Sequence, residues 1–201
     1  MSHRGTDALV EPHNYAISST ADYGYQLIAG RRKVWLFSRT QWSDVSTGAN
    51  MPSGRFVSGI TNGIRFVGVC IPWFDAHVSK GNRNRKRWED HIAFLEGLAP
   101  ILKSYAEQGP VCLLGDFNQR VPAIPWNAKY VGYLLASLSD RYCLDTEGIV
   151  DADGERLIDH VATTEQIGFE IEKTLGRKTD DGYTISDHPA IIGKLRGITM
   201  C

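Results

Sequence analysis

Val111-Cys112-Leu113-Leu114-Gly115-Asp116-Phe117-Asn118 is the stretch on which the reading of this chain turns. Four consecutive apolar residues, with Gly109-Pro110 before them and a glycine after, predict a buried strand. A strand that stops there and presents Asp-x-Asn places two polar side chains at the carboxyl edge of a sheet, where ligands bind in α/β folds. Alternation along the strand directs Asp116 and Asn118 to the same side. One brings a carboxylate suited to a hard cation, the other a neutral amide able to donate to a phosphate oxygen. Taken singly, an Asp at this position also serves as a turn cap.

The surrounding sequence supplies the rest of a sheet. Residues 87–108 predict a helix, with Trp88, Ile92, Leu95, Leu98, Ala99 and Leu102 recurring at three and four, and Gly109-Pro110 ending it. Residues 55–60 and 64–71 flank Thr61-Asn62-Gly63, whose Asn-Gly is a strong hairpin signal. A second hairpin is expected from 25–29 and 33–39 around Gly30-Arg31-Arg32, with Trp35 between Val34 and Leu36 reading as core. Residues 128–138 predict a second helix, and 157–162, 169–174 and 190–195 predict late strands. Hairpin-rich halves with intervening helices give an α/β class, two packed sheets with helices outside, in a single domain over residues 1–201.

Composition narrows the function classes. The 22 Lys and Arg against 23 Asp and Glu leave a net charge of −1, which does not advertise a large nucleic-acid footprint but leaves room for a local patch. Cys70, Cys112, Cys143 and Cys201 form no C-x-x-C pair, and two of them sit in apolar runs that predict buried, reduced thiols. No signal peptide and no apolar run of the roughly 20 residues that span a bilayer is seen, so a cytoplasmic protein without a membrane span is expected.

Two further acidic positions lie at predicted strand ends: Leu157-Ile158-Asp159-His160-Val161, and Ile185-Ser186-Asp187-His188-Pro189. Gly115-Asp116-Phe117-Asn118, Ile158-Asp159-His160 and Ser186-Asp187-His188, in that order, resemble the endonuclease/exonuclease/phosphatase superfamily over roughly Tyr25 to Leu195. The resemblance implies a four-layered α/β sandwich of two mainly antiparallel sheets flanked by helices, and hydrolysis of phosphoester bonds with Mg²⁺ or Mn²⁺. It implies that Asp159 orients His188, that Asp116 orients or deprotonates the attacking water, that Asn118 holds the phosphate, and that Asp187 joins the metal set. His160 faces away from Asp159 along the strand and reads as structural.

The family normally opens with a strand ending in a metal-proximal Asn and a second ending in Gln-Glu. The first has no counterpart here, and Asp7-Ala8-Leu9-Val10-Glu11 stands as a shortened second, with Glu11 in the metal position. An N-terminally shortened domain is therefore expected, with a partner or a further segment completing the strand.

The resemblance also implies substrate contacts from Trp73 at a strand end, and from Arg120 and Asn127 in the Pro-rich segment after the Asp-x-Asn turn; such a loop also needs no function to explain it. Lys80 and Arg83-Asn84-Arg85-Lys86-Arg87 form a cationic run beside Trp73 and Trp88, able to meet a phosphate-rich ligand or to serve as a solvated helix face. The expected substrate is a phosphodiester, DNA or RNA among the candidates. A phosphomonoester of a small molecule or lipid head group, or a non-catalytic binding module of the same fold, are the alternatives.

Overall fold

The computed structural model describes residues 15–22 and 30–197. Glu11, the segment 7–11 and the expected strand 25–29 lie outside the described residues. A six-stranded sheet runs in the order β3 (Ser43–Ser46), β4 (Phe56–Thr61), β5 (Ile64–Cys70), β6 (Val111–Asp116), β8 (Asp159–Thr164) and β7 (Tyr142–Leu144). Asn62 and Gly63 both take positive φ, 52° and 75°, which is the type I′ geometry whose twist matches that of β4 and β5.

β5 and β6 are parallel, joined by the crossover helix α1 (Glu89–Gln108), so both strands end at the same sheet edge. β6 and β8 are antiparallel, so β8 begins where β6 stops. The pairing register aligns Cys70 with Asp116 and Asp116 with Asp159, one row across three strands.

Alternation divides this sheet into two packed faces. On one, Phe56, Val67, Val69, Val111, Leu113 and Ala162 pack on Phe94, Leu95, Leu98 and Leu102 of α1 and on Val131, Leu134 and Leu138 of α2 (Ala128–Leu138). Each fully buried side chain of this size contributes about 1.5–3 kcal/mol of transfer free energy. On the other, two ribbons lie side by side, both touching Phe66 and Leu114: β1 (Tyr15–Ser18) with β2 (Trp35–Ser38), and β9 (Ile167–Leu175) with β10 (Ala190–Gly197). Among the described residues these are three layers of a mixed α/β sandwich. No described helix is long and apolar enough to cross a membrane.

Several expectations shift. The described partner of β2 is β1, a strand the sequence reading missed. In β2 Leu36 enters the core while Trp35 and Phe37 turn to the opposite face, ring centroids 5.9 Å apart, so Trp35 is half-buried rather than core. Helix α1 starts at Glu89 because Trp88 has φ 68°, a left-handed conformation that cannot continue a helix. Packing holds it there: the Trp88 ring stacks on Tyr130 of α2 at 3.8 Å.

Candidate active site

β6 delivers Asp116 to the edge, and Gly115 lets it arrive. Gly115 has φ 134°, and a Cβ built on it would lie 2.1 Å from the Val69 carbonyl oxygen of the paired strand. Phe117 then plunges into the core, its N–H donating to Ile158 O at 2.9 Å. Asn118 takes a positive φ of 52°, which Asn tolerates better than most side chains. The turn, not strand alternation, brings Asn118 back on Asp116. Its backbone N–H donates to Asp116 Oδ1 at 2.8 Å, and its Nδ2 donates to Asp116 Oδ2 at 2.7 Å and to Ile71 O at 2.8 Å. Both amide hydrogens are thus spent on fixing Asp116 and the end of β5.

Across the row, Asp159 Oδ2 accepts a hydrogen bond from His188 Nδ1 at 2.7 Å. Arg156, a conceivable partner for Asp159 in the sequence, donates to Pro122 O instead. One carboxylate oxygen each from Asp116 and Asp159 and one ring nitrogen of His188 lie within 4.8 Å of one another. Asp187 sits on the same loop as His188, its carboxylate 97% exposed and 3.9 Å from His188 Nε2.

The electrostatics separate two of these groups. Burial, and then the negative charge of Asp159, push the Asp116 carboxyl up to about 6. The hydrogen bond to Asp159 raises His188 from 6.5 to about 9, against the opposing effect of burial. Folding favours the imidazolium, so the pair contributes stability fully below about pH 6.5 and loses it as pH rises through about 9. In NMR titration of the metal-free protein, His188 should titrate near 9, and in Asp159→Asn it should fall toward 6.5. Titration at the ordinary value in the wild type would show that the pair does not form.

A pocket of about 470 Å³ covers this row. Arg32, Lys33, Trp35 and Phe37 line it together with Ser186, Asp187 and His188 and with Cys70, Asp116 and Asp159. Burial and then Arg55 hold Lys33 below its ordinary value. Burial and Asp116 push the Cys70 thiol up to about 11, leaving it a neutral, weak donor 3.7 Å from Asp116 Oδ2. Sequence reasoning missed Arg32, Lys33, Trp35 and Cys70 as site residues. The one available signal was the cationic run Arg31-Arg32-Lys33, which also reads as hairpin turn residues.

The expected substrate contacts lie elsewhere. Asn127 is 1% exposed: its Nδ2 donates to Gln119 Oε1 and Arg120 O, and its Oδ1 accepts from Ile124 N–H. It fastens the loop instead of facing the pocket. Gln119 is the centre of that fastening. Its Nε2 donates to His91 Nε2, His91 Nδ1 donates to Pro72 O, and Gln119 O accepts from His160 Nε2. Burial pushes His91 down to about 4 and His160 below its ordinary value, so both work as neutral imidazoles, and His160 is structural. Arg120 is exposed and pairs with Glu155 at 3.4 Å. Trp73 is half-buried, edge-on to Phe74 at 5.2 Å, and does not line the pocket over Asp116.

No family model and no curated protein matches this sequence. Solved structures do. A 3′ phosphatase, NExo, from Neisseria, bound to product DNA hairpin, is 14% identical, with 81% of this chain and 74% of that one covered at a TM-score of 0.60. An AP endonuclease from Archaeoglobus fulgidus is 15% identical, covering 90% of this chain and 78% of that one, with TM-score 0.60. An endonuclease/exonuclease/phosphatase family protein from Leptotrichia buccalis is 14% identical over 90% and 70%, with TM-score 0.56. At such identities the likeness is one of architecture, and on that ground the chain carries the fold of the endonuclease/exonuclease/phosphatase superfamily.

Proposed function

We propose that this protein is a divalent-metal-dependent phosphoesterase that hydrolyses phosphodiester bonds in nucleic acid. The observation that carries the reading is the convergence of Asp116 and the Asp159–His188 pair at one sheet edge, in a pocket that Arg32 and Lys33 also line. The carboxylates fit a hard cation. Asp116 and Asp159 face each other across paired strands, and the repulsion that raises Asp116 is what a nearby cation relieves. Asp187 and Asp159 would hold Mg²⁺ or Mn²⁺, with Glu11 a further candidate ligand outside the described residues. When bound, the ion supplies Lewis-acid polarisation of the phosphoryl oxygen.

The chain's own residues do the rest. Asp116, held in place by Asn118, accepts the proton of a water aligned opposite the leaving oxygen. His188, kept as an imidazolium by Asp159, donates from Nε2 to a phosphoryl oxygen as its negative charge grows. Arg32 and Lys33 attract the substrate's phosphate to the pocket.

The test is hydrolysis of bis-p-nitrophenyl phosphate and of an abasic DNA duplex, with Mn²⁺ and with EDTA. Metal-dependent turnover of both substrates is expected; a folded protein that turns over neither in Mn²⁺ refutes the reading. The pocket's volume, within the ~300–1,000 Å³ of small-molecule sites, favours a second reading as a phosphomonoesterase on a small substrate. Salt separates the two, because a polyanionic substrate loses affinity steeply with salt and a small one does not.

A further inference from the structure

The end of β5 and the loop after β6, which also carry Cys70 and Asp116 to the pocket, both run into one aromatic cluster. Phe74 lies three residues past Ile71, whose carbonyl accepts from Asn118 Nδ2. Trp126 directly precedes the buried Asn127. The Phe74 ring meets Trp88 at 5.6 Å and Trp126 at 6.3 Å, and Trp126 meets Trp88 at 6.0 Å. Trp88 is buried, stacked on Tyr130, and serves as the floor. Trp126 stands on top, 59% exposed, with no ring stacked on its outer side among the described residues.

The rim of this cluster is cationic. The Arg87 guanidinium lies 5.3 Å from the Phe74 ring centroid, and Lys129 Nζ lies 5.9 Å from that of Tyr130. Lys80, Arg83, Arg85, Lys86 and Arg87 are all exposed on the segment leading into α1. Arg87 pairs with Asp75 and Arg85 with Glu89 and Asp90, so three carboxylates against five cations leave the segment positive. This excess is local, since the chain as a whole carries −1.

We propose that Trp126 is a stacking platform for an unpaired nucleic-acid strand, with Arg87, Lys86 and Arg83 contacting the phosphates that flank the stacked base. This rests on the nucleic-acid reading above and adds a place where a strand leaving the pocket is gripped. The combination is what single-strand binding requires: an exposed ring held rigid by rings beneath it, and cations at its border. An apolar protein surface would use the ring but gain nothing from the cations around it.

The test is fluorescence anisotropy of a labelled 12-residue oligothymidylate in EDTA, so that binding is read without cleavage. Trp126→Ala should raise Kd about tenfold, since a stacked base is worth roughly 1–3 kcal/mol, and Trp126→Phe should restore most of the affinity. Arg87→Ala should flatten the dependence of log K on log salt by about 0.7, one phosphate contact on a single strand. Melting curves would confirm that each variant is folded. An oligonucleotide that does not bind the wild type, or binds Trp126→Ala equally well, overturns the proposal. Turnover of bis-p-nitrophenyl phosphate by the wild type, measured in parallel, tests the hydrolase reading separately. Strand binding that depends on Trp126 in a protein without turnover would sustain the platform and sink the hydrolase.

Discussion

Replacing Asp116 by Asn is expected to lower kcat for a phosphodiester by about 10³-fold, the usual scale for losing a positioned proton acceptor. The variant should stay within about 1–2 kcal/mol of the wild type in stability. Asp116 is a largely buried carboxylate whose charge is disfavoured both by burial and by Asp159. An amide of the same shape removes that repulsion and keeps an oxygen for the Asn118 backbone N–H, but its NH2 replaces the Oδ2 that accepted from Asn118 Nδ2, so relief of charge is offset by one lost hydrogen bond. Activity then falls by orders of magnitude while stability moves little, which separates a chemical role for Asp116 from a structural one. His188→Ala should lose a comparable factor, and the double variant little more than either single one, because both groups act in one step. Steady-state kinetics in Mn²⁺ with melting temperatures measured alongside would decide it. An Asp116→Asn enzyme that keeps more than about a tenth of its turnover has its proton acceptor elsewhere.

How much of this was legible in the sequence depends on how far apart the deciding residues lie. The strand 111–116 could be read because its signals are local: an apolar run between punctuating glycines. Asp159 and His188 could be named from their places at strand ends, and the 2.7 Å bond between them is what the resemblance implied. Asn118 was located for a reason the structure replaces, since a left-handed turn rather than strand alternation brings it to Asp116. The rest of the pocket lining was illegible. Nothing local in Arg32, Lys33 and Trp35 says that they will line a pocket with Asp116. Asn127 misled for the converse reason. It was named from the family's pattern for that segment, and only the distant Gln119–His91–Pro72 chain shows why it is buried. The start of α1 failed likewise: periodicity carries Trp88 into the helix, and only its stack on Tyr130 takes it out.

Gly115→Ala should damage the fold and the site together. The added Cβ would meet the Val69 carbonyl oxygen at 2.1 Å and its carbon at 3.1 Å, backbone atoms that no side-chain rotation can move aside. The φ of 134° adds a conformational penalty on any L side chain. Strain of about 1–3 kcal/mol from each source gives a loss of roughly 2–6 kcal/mol. At about 2–4 °C per kcal/mol for a chain of this length, the melting temperature should fall by on the order of 10 °C. The route of relaxation matters for function. β5 and β6 can only part at the Val69–Gly115 pair, next to the row that aligns Cys70, Asp116 and Asp159. Residual folded protein should therefore show reduced kcat, not only reduced yield. Gly132 on α2 is the control: a Cβ there meets nothing within 4 Å, so Gly132→Ala should be neutral or stabilising by up to about 1 kcal/mol. Equal melting temperatures for the two alanine variants would mean that the strands give way at Gly115 without cost, and that the close approach of β5 and β6 does not fix the position of Asp116.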